Sequence, residues 1–521
     1  MNGYRIIASC LWLCLTATVS AQSFEEYKRQ QQAKFSTYAQ KKAEEYRAYR
    51  DRVNAEYADY MRRAWTQEEA QPAKPLPKRP EPPQPVVRKP TDMPTLQPIP
   101  FGKVRDIPLP KVTLPTPVIP IDALEEPLPT IPGQQSSESE KEPESLEEPV
   151  AEPIAKPEEP EEESLSFLCF NGEWQVPLTE RHRFRLRSTK EADVADAWRE
   201  LSKAKYTSVV AACLRLRNTL RLPDWAYLHL LENMSRAFFP KNENEARLLQ
   251  MFILVQSGYQ ARIAQADGQL YLLVPSSGDI CEYSFLTIGG RRFYVTEKGV
   301  KARSFRVFER EFPREQPFSW CMREQPSLPS TYRSRSLQSK RYPEAQATVR
   351  VSVALLNLCE NYPRCNEWNF YALAGLSEVA REDLYPALRQ AIAGKTRKEQ
   401  VDVLLDFVQT AFAYKADAEQ FGAERPLFGD ETLFYPYSDC EDRAILFSIL
   451  VRDLVGTDVV LLEYADHLAT AVRLGDDVVG DYLELDGHRY VVCDPTYVGS
   501  TVGMAMPQYK GTETVVIRIG D

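Results

Sequence analysis

The chain has 521 residues, too many for one core, and 24 of its 39 prolines crowd between residues 72 and 160, while the remainder has ordinary apolar, aromatic and charged content. A net charge of −10, much of it from an acidic run at 138–163, leaves no basic footprint and excludes nucleic acid as a partner. The folded mass is expected C-terminal to the proline-rich stretch.

Residues 1–21 read as a secretory signal, with Arg5 as the positive region, an apolar run at 6–15, and Val19-Ser20-Ala21 as small residues before Gln22. Cleavage is expected after Ala21. The apolar run falls short of the roughly 20 residues a spanning helix needs. No other segment is long and apolar enough, so no membrane span is expected after cleavage. The expected location is exported: periplasm, cell envelope or exterior. Ile7-Ala8-Ser9-Cys10 matches a lipobox in letters but lacks the preceding apolar stretch. Of the cysteines left after cleavage, Cys359 and Cys365 are the only local pair that an oxidising compartment could bridge.

Residues 22–65 carry an eleven-residue period: Phe24, Phe35, Tyr46 and Tyr57 form one series, and Tyr27, Tyr38, Tyr49 and Tyr60 another. Eleven residues make about three helical turns, so both series share one face of a long helix. Such a stripe predicts self-association or docking on another surface. Residues 66–165 follow as a proline-rich, finally acidic linker, predicted to be an extended and disordered spacer without helix or sheet.

From residue 166 the pattern is α+β and occurs twice. In the first copy, 166–345, helices are predicted at 224–239 and 245–255, with strands after Gly258. In the second, 346–521, helices are predicted at 400–414 and from Cys440 to Gly456. Strands follow at 459–462, 468–474, 481–485 and 489–494, with Asp486-Gly487 as a hairpin turn. The stretch 285–295 echoes 482–492.

A thiol nucleophile needs a base, an orienter for the base, and donors for the oxyanion. Cys440 stands at the predicted N-terminus of a buried helix, where free N–H groups and the helix dipole favour a thiolate, although Asp439, Glu441 and Asp442 oppose it. There are four histidines. His467 precedes a strand and can be aimed at a helix N-terminus, whereas His488 falls in the hairpin turn. Asp494 ends the last strand before Pro495, and alternation turns Cys493 to the opposite face as a packed thiol.

Ser438-Asp439-Cys440-Glu441-Asp442-Arg443, Asp466-His467-Leu468 and Cys493-Asp494-Pro495-Thr496-Tyr497, in this order, resemble the transglutaminase-like superfamily over about residues 395–510. The resemblance implies tandem transglutaminase-like (papain-like) domains with Cys440 as nucleophile, His467 as general base and acid, and Asp494 as its orienter. The first copy is degenerate, with Asn244, Gly268 or Gln269, and Glu297 at the corresponding positions. The implied reaction is cysteine acyl transfer on a protein or peptide substrate through a thioester, with protease or amidase activity if water resolves it and cross-linking if an amine does. Tyr435 and Tyr437 are candidate oxyanion donors beside the Cys440 N–H. No metal cluster or phosphate loop is apparent, so no cofactor is inferred. The alternative is a secreted, non-catalytic binding or scaffold protein using the same fold.

Overall fold

The computed structural model describes residues 44–77, 84–106 and 164–520, together with residues 27–29, 34, 37, 38, 41 and 42. The expected signal and the linker's acidic end lie outside the described residues. The described part is a mixed α+β structure.

Residues 44–61 are helical, as are the described residues before them. Val53, Asn54, Tyr57, Ala58 and Met61 are buried, the spacing of one apolar helix face. That face lies on the chain's own first globular unit. The Tyr57 ring meets Trp198, Phe308 and Phe312 at centroid distances of 5.0, 5.0 and 5.1 Å. Asn54 Oδ1 accepts from Trp198 Nε1 and Gln256 Nε2, while its Nδ2 donates to Tyr206 Oη. The later rings of the stripe are thus covered intramolecularly, and Tyr27 and Tyr38 remain 59% and 60% exposed.

Two six-stranded sheets organise the rest. The first runs Thr66–Glu69, Ser304–Phe308, Arg262–Ala266, Gln269–Ser276, Arg291–Val295, Phe285–Ile288, all antiparallel. The second runs Phe101–Arg105, Thr514–Arg518, Val459–Glu463, Leu468–Arg473, His488–Cys493, Tyr482–Leu485, antiparallel except for its first pair. The strand order is the same in both. In each, a hairpin forms one edge, the last strand of the unit returns beside the first, and a strand from the N-terminal arm closes the other edge. A buried helix precedes each sheet and packs on it: Glu243–Gln256 in the first unit and Cys440–Val455 in the second.

Three expectations need correction. The stretch 66–165 is not wholly a free spacer, because Thr66–Glu69 and Phe101–Arg105 are edge strands of the two sheets. Both are proline-free, so every residue can donate to a ladder. The boundary at 345/346 falls inside a hairpin, Tyr332–Gln338 with Gln346–Ser352. This hairpin packs on the helices Glu378–Ile392, Arg397–Ala411 and Gly429–Phe434 and so belongs to the second unit. Cys359 and Cys365 are free buried thiols and do not bridge.

Replacing Tyr57 with Ala removes a ring that is 3% exposed, and should cost about 3–5 kcal/mol of stability. Tyr38→Ala should cost nearly nothing. Urea unfolding followed by tryptophan fluorescence distinguishes these outcomes from a stripe that serves only association.

Candidate active site

The helix Cys440–Val455 is capped at its start by Asp439, whose backbone N–H donates to Asp442 Oδ2 at 3.4 Å. It ends at Gly456, whose φ of 68° is left-handed, a conformation that glycine adopts without a Cβ penalty. Cys440 is the first residue of this helix and is 4% exposed. The helix packs under Val459–Glu463 and Leu468–Arg473. This brings the start of the second of these strands to the thiol, where the Leu468 N–H donates to Cys440 Sγ.

His467, immediately before Leu468, is 3% exposed. Its Nε2 lies 2.9 Å from Asp494 Oδ2. Asp494 Oδ1 accepts from the N–H groups of Thr496 and Tyr497 at 2.9 and 3.2 Å, so the carboxylate is fixed by the turn that follows its strand. Gln409 Nε2 bonds the Asp494 carbonyl at 3.1 Å. An acceptor on Nε2 places a hydrogen there, and in the neutral ring Nδ1 is then the acceptor. Nδ1 is buried and has no hydrogen-bond partner. The ring is held flat by Tyr509, 4.9 Å away at 14°, whose hydroxyl donates to Asp466. His488 is exposed, and Cys493 is a fully buried packing thiol, as the alternation predicts.

The thiol itself is not engaged by the imidazole. It donates to Glu441 Oε2 at 3.0 Å, and burial, followed by the negative charges of Glu441 and Asp439, pushes its pKa well above the usual thiol range. The thiol is therefore held in its protonated form, bonded to Glu441 and not to the imidazole.

Neither Tyr435 nor Tyr437 has a recorded bond to the thiol. Tyr435 Oη accepts from Arg425, and Tyr437 is 39% exposed. Tyr414 is the residue that sequence reasoning missed. Its hydroxyl is buried without a partner, and Cys440 is the first charge acting on it after burial, so its pKa is raised and it stays a donor. It closes the predicted helical run at 400–414, but nothing in the sequence ties it to Cys440.

A second missed feature is a carboxylate cluster around the same helix start. One oxygen each from Asp417, Asp439 and Asp442 lie within 4.8 Å of one another, as do oxygens from Asp417, Glu424 and Glu441. Two oxygens on opposite sides of a calcium ion bound at about 2.4 Å would be about 4.8 Å apart. Asp417 Oδ2 accepts from Arg425 N–H, and Asp442 Oδ1 from Leu427 N–H. Asp439 Oδ1 is buried and unpartnered. Arg443 directs its guanidinium to Ser438 Oγ and to the carbonyls of Gln409 and Phe412 instead. The donor set is all oxygen and anionic, the chemistry of a hard divalent cation.

In the first unit, Asn244 Oδ1 takes the Leu270 N–H at 2.8 Å, just as Cys440 takes that of Leu468. Gln269, the residue before Leu270, is exposed, and Glu297 is ion-paired with Arg247. The frame is shared and the reactive groups are not. No family model matches the chain, and no curated protein or solved structure is significantly similar to it.

Burial and mutual repulsion raise the pKa of Asp417 to about 10 and push Asp439 and Asp442 upward as well. A carboxyl raised in the folded state contributes stability that is full below the unfolded pKa near 4 and is lost as pH rises through the folded value. Without divalent cations, the unfolding temperature should therefore fall between about pH 5 and pH 9. Calcium at about 100 times its Kd should add about 2.7 kcal/mol at neutral pH and flatten that slope. In Asp439→Asn the calcium increment should shrink or vanish. Scanning calorimetry with EDTA or calcium reads both effects.

Proposed function

We propose that this is an exported cysteine acyl-transfer enzyme of transglutaminase-like type, acting through Cys440, His467 and Asp494, with the first unit a degenerate copy of the second. The observation that carries this reading is His467: Asp494 occupies one ring nitrogen, the other is buried without a hydrogen-bond partner, and the next residue's N–H is on the Cys440 sulfur. Identical strand order in the two sheets supports the duplication. Export rests on residues 1–21 and their signal-like pattern.

In the reaction, the Cys440 proton passes to His467 Nδ1 and the thiolate attacks a carboxamide or peptide carbonyl carbon. The tetrahedral oxyanion forms near Tyr414 Oη, a donor poised for developing charge. His467 then returns the proton to the leaving amine, giving a thioester that water or a second amine resolves. Asp494 orients the ring and stabilises its charged form. The Glu441 bond to the thiol must break first, so the described state is a resting one; a divalent cation, if bound, would be held by Asp417, Glu424 and Glu441 and would compete with the thiol for the Glu441 carboxylate.

A second reading, a secreted binding or scaffold protein, is favoured by the same thiol: it is buried, neutral and bonded to a carboxylate. p-Nitrophenyl acetate separates the two. With calcium present, an enzyme should release p-nitrophenolate in a burst and carry one acetyl group on Cys440, located by mass spectrometry. His467→Ala should lower the acylation rate by about 10³-fold or more, and Tyr414→Phe by about 10²-fold. No acetylation of Cys440 with or without calcium would overturn the enzymatic reading and leave the scaffold.

A further inference from the structure

A cavity of about 540 Å³ lies between the first unit and the helix Val353–Asn361, within the roughly 300–1,000 Å³ usual for small-molecule sites. Its apolar lining combines the rings of Phe170, Trp225 and Tyr283 with Ala354 and Leu358. Trp225 is half-buried and stacks on the buried Trp320 at 5.1 Å and 22°, with Tyr283 edge-on at 5.8 Å. Trp320 is in turn pinned by its Nε1 bond to the Pro275 carbonyl. Trp225 is thus a fixed platform.

The rim is amide. Asn357 and Asn361 are four residues apart on one helix face, and Asn171 joins them on the cavity lining. Asn361 Nδ2 donates to the Asn357 carbonyl, which leaves the Asn361 Oδ1 and the Asn357 side chain turned to solvent. Each amide offers donors and an acceptor within a few ångströms. No carboxylate lines the cavity, Lys298 on its wall is already paired with Glu282 at 2.7 Å, and His229, also on the lining, faces Glu232 at 3.5 Å. The site is therefore built for a neutral ligand with a flat apolar face and a hydrogen-bonding edge.

Backbone strain at the same place points to a ligand contact. The hairpin Leu165–Cys169 with Gly172–Val176 contains Phe170-Asn171-Gly172. Asn-Gly is the preferred pair for a two-residue turn, yet the pairing of Cys169 with Gly172 makes Phe170 and Asn171 the turn residues, at φ of 51° and 60°. A Cβ at Gly172 would come within 2.7 Å of the Trp174 ring, so glycine is required there by close approach. Left-handed backbone at a bulky aromatic is uncommon and concentrates at ligand clamps. Here it places both Phe170 and Asn171 on the cavity lining.

We infer that this cavity is a carbohydrate-binding site, taking a pyranose ring of an uncharged oligosaccharide flat against Trp225 with its hydroxyls on the asparagines. This is independent of the reaction at Cys440. It gives the first unit a task of its own: holding the chain on a glycan-bearing substrate.

The test is isothermal titration of the full chain, lacking only the signal, with cellotetraose, triacetylchitotriose and maltotetraose. At least one should bind with a Kd below about 1 mM. Asn357→Ala and Asn361→Ala, both exposed on a helix surface, should each weaken that binding about tenfold or more without changing the unfolding temperature. Trp225→Phe should weaken it less than Trp225→Ala, and Cys440→Ala should leave it unchanged. No binding of any of the three, or binding indifferent to the asparagine variants, overturns the proposal, as does displacement of the sugar's place by an aromatic peptide that binds tighter through the same residues.

Discussion

Asp417, Asp439, Glu441 and Asp442 meet at the first turn of one buried helix, and among the described residues no ion pair reaches any of them. Several carboxylates taken out of water together cannot all stay anionic, because desolvation and mutual repulsion both act against charge. Protons or a cation must supply the compensation. Much of the site follows from which of the two is present. Asp417 and Asp442 hold the chain at Arg425 and Leu427, Asp439 begins the helix, and Glu441 holds the thiol. Neutralising the cluster by either route would weaken the negative field on Cys440, and burial would still favour its protonated form.

Much of the frame was legible because its signals are local. The apolar face of Cys440–Val455, its glycine stop and the Asp486-Gly487 turn are short-range patterns, and the turn residues have the left-handed φ of 52° and 74° that such a pair permits. His467 and Asp494 were legible as strand-end residues and do meet. The carboxylate cluster was not, because Asp417 comes from a non-periodic loop well before Cys440 and only tertiary folding joins them. Tyr414 was hidden for the same reason. The hairpin Tyr332–Gln338 with Gln346–Ser352 escaped notice because most of its residues are polar and exposed, leaving Leu337, Val349 and Val351 as its main buried contacts. The two arm strands escaped because proline masks a stretch whose short proline-free pieces are strands only when a sheet edge is offered.

The two units show what a shared frame does and does not preserve. Asn244 makes with Leu270 the contact that Cys440 makes with Leu468, and Arg247 and Arg443 each lie three residues further along their helices. Yet Arg247 pairs with Glu297, while Arg443 binds carbonyls and leaves Asp494 to His467. The order of helix, sheet and hairpin is thus the same in both units. The polar groups at the mouth of the sheet differ, and they contribute little to the apolar core beneath.

The arm strands carry a consequence for the order of assembly. Phe101–Arg105 pairs with Thr514–Arg518, roughly 400 positions later, so the second sheet closes only after nearly all of the described chain is available. A ribosome or a translocation channel emits the arm first, and it must wait unpaired while both sheets form. Proline around the strand makes that wait safer, since a segment poor in backbone donors is a weak template for intermolecular pairing. Pairing of these strands then joins parts of the chain about 400 residues apart, which delays completion of the sheet beside Cys440 until Thr514–Arg518 has emerged.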